Sequence, residues 1–282
     1  MMNCPCLSTA PERGKGTRGG ILDRSDIPGG RQAFQPHDLV IALGLLTRLP
    51  LPAQAFAASG SRPPAQAAWA YPLVGLVVAV AALLVAWLMG GLGLPAPVQA
   101  MFVIAVTVVL TGAMHEDGLA DCADGFWGGW TRERRLEIMK DSQIGTYGVI
   151  ALVLSLVLRW QLITMLIDAG ALTTALIPAA MVSRAAMVWT MARLPQARDK
   201  GLSRQTGIPA PPALMAAVAI GLCAALFTAG WFATILVSIL LTFATGLLAR
   251  AKIAGQTGDV LGATQQIVEI GCLLSISAFA LS

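Results

Sequence analysis

Residues 69–90 read Trp-Ala-Tyr-Pro-Leu-Val-Gly-Leu-Val-Val-Ala-Val-Ala-Ala-Leu-Leu-Val-Ala-Trp-Leu-Met-Gly, without a single charged side chain. About 20 continuous apolar residues suffice for a helix to cross a bilayer. The run does not alternate polar with apolar positions, so it fits a helix rather than a barrel strand. Six more runs follow, at 98–114, 148–167, 172–192, 213–229, 231–249 and 260–281. The expected fold is therefore all-α, a polytopic integral membrane helical bundle with about seven transmembrane helices. Composition agrees. The 282 residues are 56% hydrophobic and 12% charged, against roughly 25% charged in soluble domains. Residues 38–49 are apolar but too short to cross, which suits an interfacial helix. Residues 1–36 are rich in Gly, Pro, Arg and Ser and lack a signal-peptide core. They are expected to be a disordered tail before a single membrane domain at 37–282. The five cysteines show neither a pairing pattern nor zinc spacing.

The basic residues set an orientation. Of 19 Lys and Arg, 17 lie before the first run or in the 115–147, 193–212 and 250–259 loops. The connections near 91–97, 168–171 and 230 carry none. Excess Lys and Arg marks the cytoplasmic side. The N-terminus and all the long polar loops are expected there, in a cell inner membrane, with the C-terminus outside. The net charge of +4 follows topology and gives no sign of nucleic-acid binding.

One polar block interrupts this pattern. Residues 114–125 are Met-His-Glu-Asp-Gly-Leu-Ala-Asp-Cys-Ala-Asp-Gly, which places four of the chain's 15 acidic residues within nine positions. On a helix Asp117, Asp121 and Asp124 are spaced i, i+4, i+7 and share a face. Like charges so spaced repel unless a cation sits among them, and oxygen ligands of this kind suit Mg²⁺ or Mn²⁺. A solvated acidic loop explains the spacing equally well. Downstream, Thr131 is a candidate N-cap for a helix reaching about Lys140. Arg132, Arg134 and Arg135 on it form either a solvated face or a phosphate-neutralising one. Lys140 and Ser142 suit phosphate oxygens, and Asp141 suits a metal or a proton, though a polar turn accounts for them too.

Within the apolar runs, Arg159, Arg184 and Glu269 are costly unless paired or hydrated. Arg184 and Glu269 are candidates for substrate contact or for a structural ion pair. Asp259 is a candidate catalytic carboxylate or a plain N-cap. With Gln266 and Glu269 it gives one helix a polar stripe.

These blocks together resemble the cobalamin synthase (adenosylcobinamide-GDP ribazoletransferase) family. The resemblance is carried by Leu46-Thr47-Arg48-Leu49-Pro50-Leu51-Pro52, by His115 through Gly125, and by Ile138-Met139-Lys140-Asp141-Ser142-Gln143-Ile144-Gly145. Ser183-Arg184 and Thr257-Gly258-Asp259-Val260-Leu261-Gly262-Ala263 complete it. Arg is frequent in the family near the position of Gln143. The resemblance implies the last joining step of the cobalamin nucleotide loop. The 5′-hydroxyl of α-ribazole, or its 5′-phosphate form, would attack the phosphorus that adenosylcobinamide-GDP bears on its aminopropanol arm, releasing GMP. It also implies Mg²⁺, expected on Asp117, Asp121 and Asp124, with Asp141 and Asp259 joining the catalytic set. Lys140, Ser142, Arg184, Glu269 and Arg135 are then expected on substrate. Membrane lipid is the expected surrounding, and homo-oligomers or association with other enzymes of the pathway stay open. Two other functions compete, a secondary transporter using Arg184, Glu269 and Asp259 as its path and a CDP-alcohol-type membrane phosphotransferase.

Overall fold

The computed structural model describes residues 34–52, 63–198 and 201–281; the tail expected over 1–36 falls almost wholly outside them. Among the described residues eleven α-helices follow one another: α1 His37–Leu46, α2 Tyr71–Gly91, α3 Ala96–Thr111, α4 Met114–Gly128, α5 Arg132–Ile138, α6 Thr146–Asp168, α7 Leu172–Arg193, α8 Leu202–Thr206, α9 Pro211–Ala225, α10 Trp231–Ile253 and α11 Gly258–Ala280. A 3₁₀ segment, Pro64–Ala70, leads into α2. Among the described residues no strand forms beyond one isolated bridge between Gln196 and Gln256, as an all-α bundle requires.

Among the described residues five helices are long and apolar enough to cross a membrane, and α3 with α4 adds a sixth if that bent pair counts as one span. The seven expected crossings thus become five or six. The difference lies at 213–229, and also at 98–114 if the bent pair is not counted as one span. In the first of these α9 has 15 residues, about 22 Å at 1.5 Å per residue, short of a hydrocarbon core of roughly 30 Å.

The bend between α3 and α4 is 87°, and it has a local cause. Gly112 and Ala113 are both left-handed, with φ of 65° and 57°. Gly112 closes α3 as an αL cap, and Ala113 accepts a conformation that costs a non-glycine residue about 1–2 kcal/mol. The chain turns sharply, and the polar α4 leaves the direction of the apolar rods. It packs mainly on α11 and α6.

At the centre, α7 and α11 are buried on nearly all sides. Their apolar residues Leu176, Ala179, Val268, Cys272 and Ile276 form the main core with α2, α3 and α6. At one end of the bundle the loops are laced together. Arg132 donates from Nε to Ile253 O at 2.9 Å and from Nη2 to Ala197 O at 2.8 Å. Ala197 N–H donates to Gln256 O, and Gln256 N–H to Pro195 O. The three cation-bearing loops therefore meet on one side, as the charge pattern predicts. The C-terminal end of α11 lies about 34 Å away along its axis, beside Thr234 on α10, which hydrogen-bonds Ser275 at 3.0 Å.

Candidate active site

The carboxylates gather where α4 crosses the start of α11. Helix α4 presents Asp117 and Asp121 one turn apart, and α11 presents Asp259 in its first turn. Backbones this close need small residues. A Cβ added at Gly118 would lie 2.6 Å from Asp259 O, and one at Gly262 would lie 3.1 Å from Met114 O. The cap of α11 is Thr257, whose Oγ1 accepts from Val260 N at 3.4 Å. This corrects the N-cap reading of Asp259. Its Oδ2 instead accepts from Thr257 Oγ1 at 3.1 Å and from Arg198 Nη1 at 3.3 Å. Asp117 and Asp259 line a cavity of about 150 Å³ whose other walls include Arg198, Arg204, Ser203 and Gln256.

Half-burial, and then the nearby carboxylates of Asp259 and Asp117, push the Asp121 carboxyl up to about 7. The cluster is thus short of positive charge. Among the described residues no three His, Cys, Asp or Glu side chains are close enough to hold a metal by themselves. Mg²⁺ often binds through one or two carboxylates and completes its shell with substrate phosphates. A pair drawn from Asp117, Asp121 and Asp259 would make such a partial set.

Asp124 sits differently. Its Oδ2 accepts from Gly145 N at 2.7 Å and its Oδ1 from Gly148 N at 2.9 Å. It therefore holds the N-terminus of α6, where amides lack intrahelical partners and the helix dipole favours an anion. We expect Asp124→Ala to lower stability by about 1–3 kcal/mol, because two amides lose a charged acceptor. Thermal unfolding in detergent measures this, and an unchanged melting temperature would contradict it.

Arg135 donates to Gly129 O at 2.9 Å and to Lys252 O at 3.0 Å, so its guanidinium staples α5 to the end of α10. Thr131 caps α5 as expected, accepting from Arg134 N, and the helix stops at Ile138. Lys140, Asp141 and Ser142 are exposed on the turn that follows. Asp141 accepts from Gln143 N at 3.1 Å. The structure does not bring these three into the cavity lining.

Beneath α4 lies a second polar group, inside the bundle. Arg159 of α6 reaches Glu116 at 3.1 Å, Gln266 at 3.0 Å and Glu269 at 3.7 Å. Arg184 stands 3.8 Å from Glu269 and donates to Ala180 O. Gln266 donates to Glu116 and Gln265 to Glu269. The Arg184–Glu269 pair read from the sequence thus forms, within a larger buried network. His115 is also buried here, and neither ring nitrogen has a hydrogen-bond partner. The enclosed space is about 20 Å³, enough for about one water.

Sequence reasoning missed Arg198, Arg204 and Gln256 as site residues. The two arginines were legible only as topology markers, and Gln256 carries no charge. A larger crevice of about 230 Å³ between α7, α9 and α10 is lined by apolar and hydroxyl side chains and holds no titratable group.

The family model described as cobalamin-5-phosphate synthase matches residues 38–277. A Bradyrhizobium diazoefficiens protein named adenosylcobinamide-GDP ribazoletransferase is 44% identical over 245 residues, covering 86% of this chain and 94% of that one. Proteins of the same name from Azorhizobium caulinodans and a Sinorhizobium species are 42% and 40% identical. The first alignment covers 86% of this chain and 96% of the relative, the second 84% and 94%. No solved structure matches. The match spans both the Asp-rich helix and the Thr257–Ala263 turn that meets it, and the chain belongs to the cobalamin-5-phosphate synthase family.

Proposed function

We propose that this chain is the membrane enzyme that joins adenosylcobinamide-GDP to α-ribazole or α-ribazole 5′-phosphate, yielding adenosylcobalamin or its 5′-phosphate and GMP. The observation that carries this reading is the single cavity in which Asp117 and Asp259 stand with Arg198 and Arg204. Guanidiniums suit phosphate oxygens, and carboxylates suit a cation or a proton. Displacement at a diphosphate needs both, since catalysis there rests on positioning and charge neutralisation.

A bond forms between a ribose oxygen and the phosphorus on the aminopropanol arm, and the bond from that phosphorus to the bridging oxygen breaks. GMP leaves with the bridging oxygen. The 5′-hydroxyl expected above is excluded when ribazole carries a 5′-phosphate, because an esterified oxygen has no proton to give up. A product that is a cobalamin 5-phosphate, as the family description states, implies attack by another ribose hydroxyl. Asp259 or Asp117 takes its proton. Arg198 and Arg204 hold the diphosphate and offset the charge on the departing GMP. Two of the three carboxylates Asp117, Asp121 and Asp259 would hold Mg²⁺, which when bound polarises the phosphoryl group.

The orientation proposed is cytoplasmic for the cavity, in an inner membrane, since the cavity lies at the end where the Lys- and Arg-bearing loops meet. A transporter is disfavoured by the enclosed and largely ion-paired polar core around Arg159. The test is direct. Purified protein in detergent, given adenosylcobinamide-GDP, α-ribazole and Mg²⁺, is expected to release GMP and a corrinoid carrying the lower base. No GMP from correctly inserted protein, with CMP released from a CDP-alcohol, would favour the phosphotransferase alternative.

A further inference from the structure

We propose that the crevice between α7, α9 and α10 is a binding site for one anionic phospholipid, with an acyl chain between the helices and the phosphate at Arg193 and Arg250.

The crevice is built into the packing. Residues 226–230 join α9 to α10. The two helices are tied at that turn, where Thr228 Oγ1 donates to Thr234 Oγ1 at 3.4 Å. From there they part. Helix α9 packs on α7 and the 3₁₀ segment, while α10 runs on to pack against α5. The wedge left between them has a volume of about 230 Å³, and the small side chains Ala185 and Ala186 of α7 line it. A cavity of this size with apolar walls stays dry and takes hydrocarbon. The two hydroxyls in the wall do not change that. Ser238 donates to Ile235 O at 2.8 Å and Thr242 to Ser238 O at 2.6 Å. Each is spent on its own helix, so neither has a proton left for a polar ligand. Helices α7 and α10 are long and apolar enough to cross the membrane, so the hydrocarbon that meets the opening is lipid. From Ile235 to Phe243 the wedge runs about 12 Å along α10. That falls within the ~15 Å that one leaflet contributes to the hydrocarbon core.

The wide end carries the polar half of the argument. Trp189 and Phe243 pair across it with ring centroids 6.0 Å apart, and aromatic rings suit the bilayer interface. One turn further along α7, the Arg193 guanidinium lies 4.7 Å over the Trp189 ring. Helix α10 brings a second charge. Gly246 packs beside Leu194, since an added Cβ would stand 3.7 Å from Leu194 Cδ1, and Arg250 follows one turn later. Both arginines are exposed. None of the ion pairs among the described residues uses either. Apolar space, aromatic pair and two cations without carboxylates follow one another in the order in which a phospholipid presents acyl chain, glycerol and phosphate. A zwitterionic lipid carries its own cation beside the phosphate and gains little from the arginines. An anionic lipid gains from both.

The test uses the full chain in detergent, given equal amounts of phosphatidylglycerol and phosphatidylcholine with identical acyl chains. Native mass spectrometry reads the lipid retained. One phosphatidylglycerol should stay on the parent with a preference of about tenfold or more, each arginine near an anionic lipid supplying about fivefold. Arg193→Gln with Arg250→Gln, both on exposed residues, should erase the preference at an unchanged melting temperature. Ser238→Leu fills the wedge and breaks no bond to another helix, and it should expel the lipid. Equal retention of the two lipids by the parent overturns the proposal. So does a parent-like preference in the double arginine variant, or parent-like retention in Ser238→Leu that melts like the parent. A dimer of the lipid-free parent that Ser238→Leu dissociates would give the crevice to a second copy of the chain and refute the lipid site.

Discussion

Asp121→Asn is expected to lower turnover by about a hundredfold to a thousandfold, the scale of losing one preorganised electrostatic group, in protein that inserts normally and melts no lower than the parent. Asp117→Asn should do the same. Asparagine keeps the shape and one acceptor oxygen, and loses the charge that a cation requires. The stability side has a definite sign. The Asp121 carboxyl is raised from an ordinary 3.8 to about 7 by burial and by Asp259 and Asp117. The folded state therefore holds a proton that the unfolded chain releases, and stability falls as pH rises from about 4 to 7. Removing the charge removes that penalty, so Asp121→Asn should be at least as stable as the parent at pH 8. Loss of activity with gain of stability is the mark of a group kept for function. Near-normal GMP release from both variants would end the cation assignment.

The second large effect is on the fold. Arg159→Met should destabilise the protein by about 3–5 kcal/mol, the usual cost of removing one partner from a buried ion pair. Arg159 is almost fully buried between Glu116 at 3.1 Å and Glu269 at 3.7 Å. Methionine fills much of its volume but leaves Glu116 without its ion-pair partner and Glu269 with Arg184 as its remaining one. Adding Glu116→Gln should restore part of the loss, because one stranded charge is gone and Gln266 can still pair with the new amide. Unfolding in detergent, read by intrinsic Trp fluorescence, measures both variants. If Arg159→Met unfolds at the parent's midpoint, the network contributes no net stability.

Much of this was legible in the chain. Long apolar runs announce spans because a helix must bury or shield its whole length in lipid, and α2, α6, α7, α10 and α11 match their runs closely. The run at 213–229 misled because composition does not say where a helix stops, and α9 ends at Ala225. The Asp-rich block, which the sequence left open between a helix and a solvated loop, is the helix α4. Its three aspartates look alike by spacing, yet Asp124 differs through the amides of Gly145 and Gly148, and no periodicity within α4 reveals a partner on α6. Asp259 stands near Asp117 only because Gly118 and Gly262 let two distant helices touch. That is a tertiary fact. Arg198 was hidden for another reason, since a loop arginine in a membrane protein satisfies the topology rule whether or not it meets a substrate.

The order of these helices along the chain has a consequence for biogenesis. Gln266 follows its partner Glu116 by 150 positions, and α11 follows every other described helix along the chain. Until it inserts, Arg159 and Glu116 sit in the bilayer with part of their shell missing, a costly state for charged groups in lipid. The cleft at that stage has no Asp259 and no helix N-terminus. Insertion of α11 brings Gln266 and Glu269 to the buried charges and Asp259 to the cleft in one event, so the polar core and the cleft are completed together.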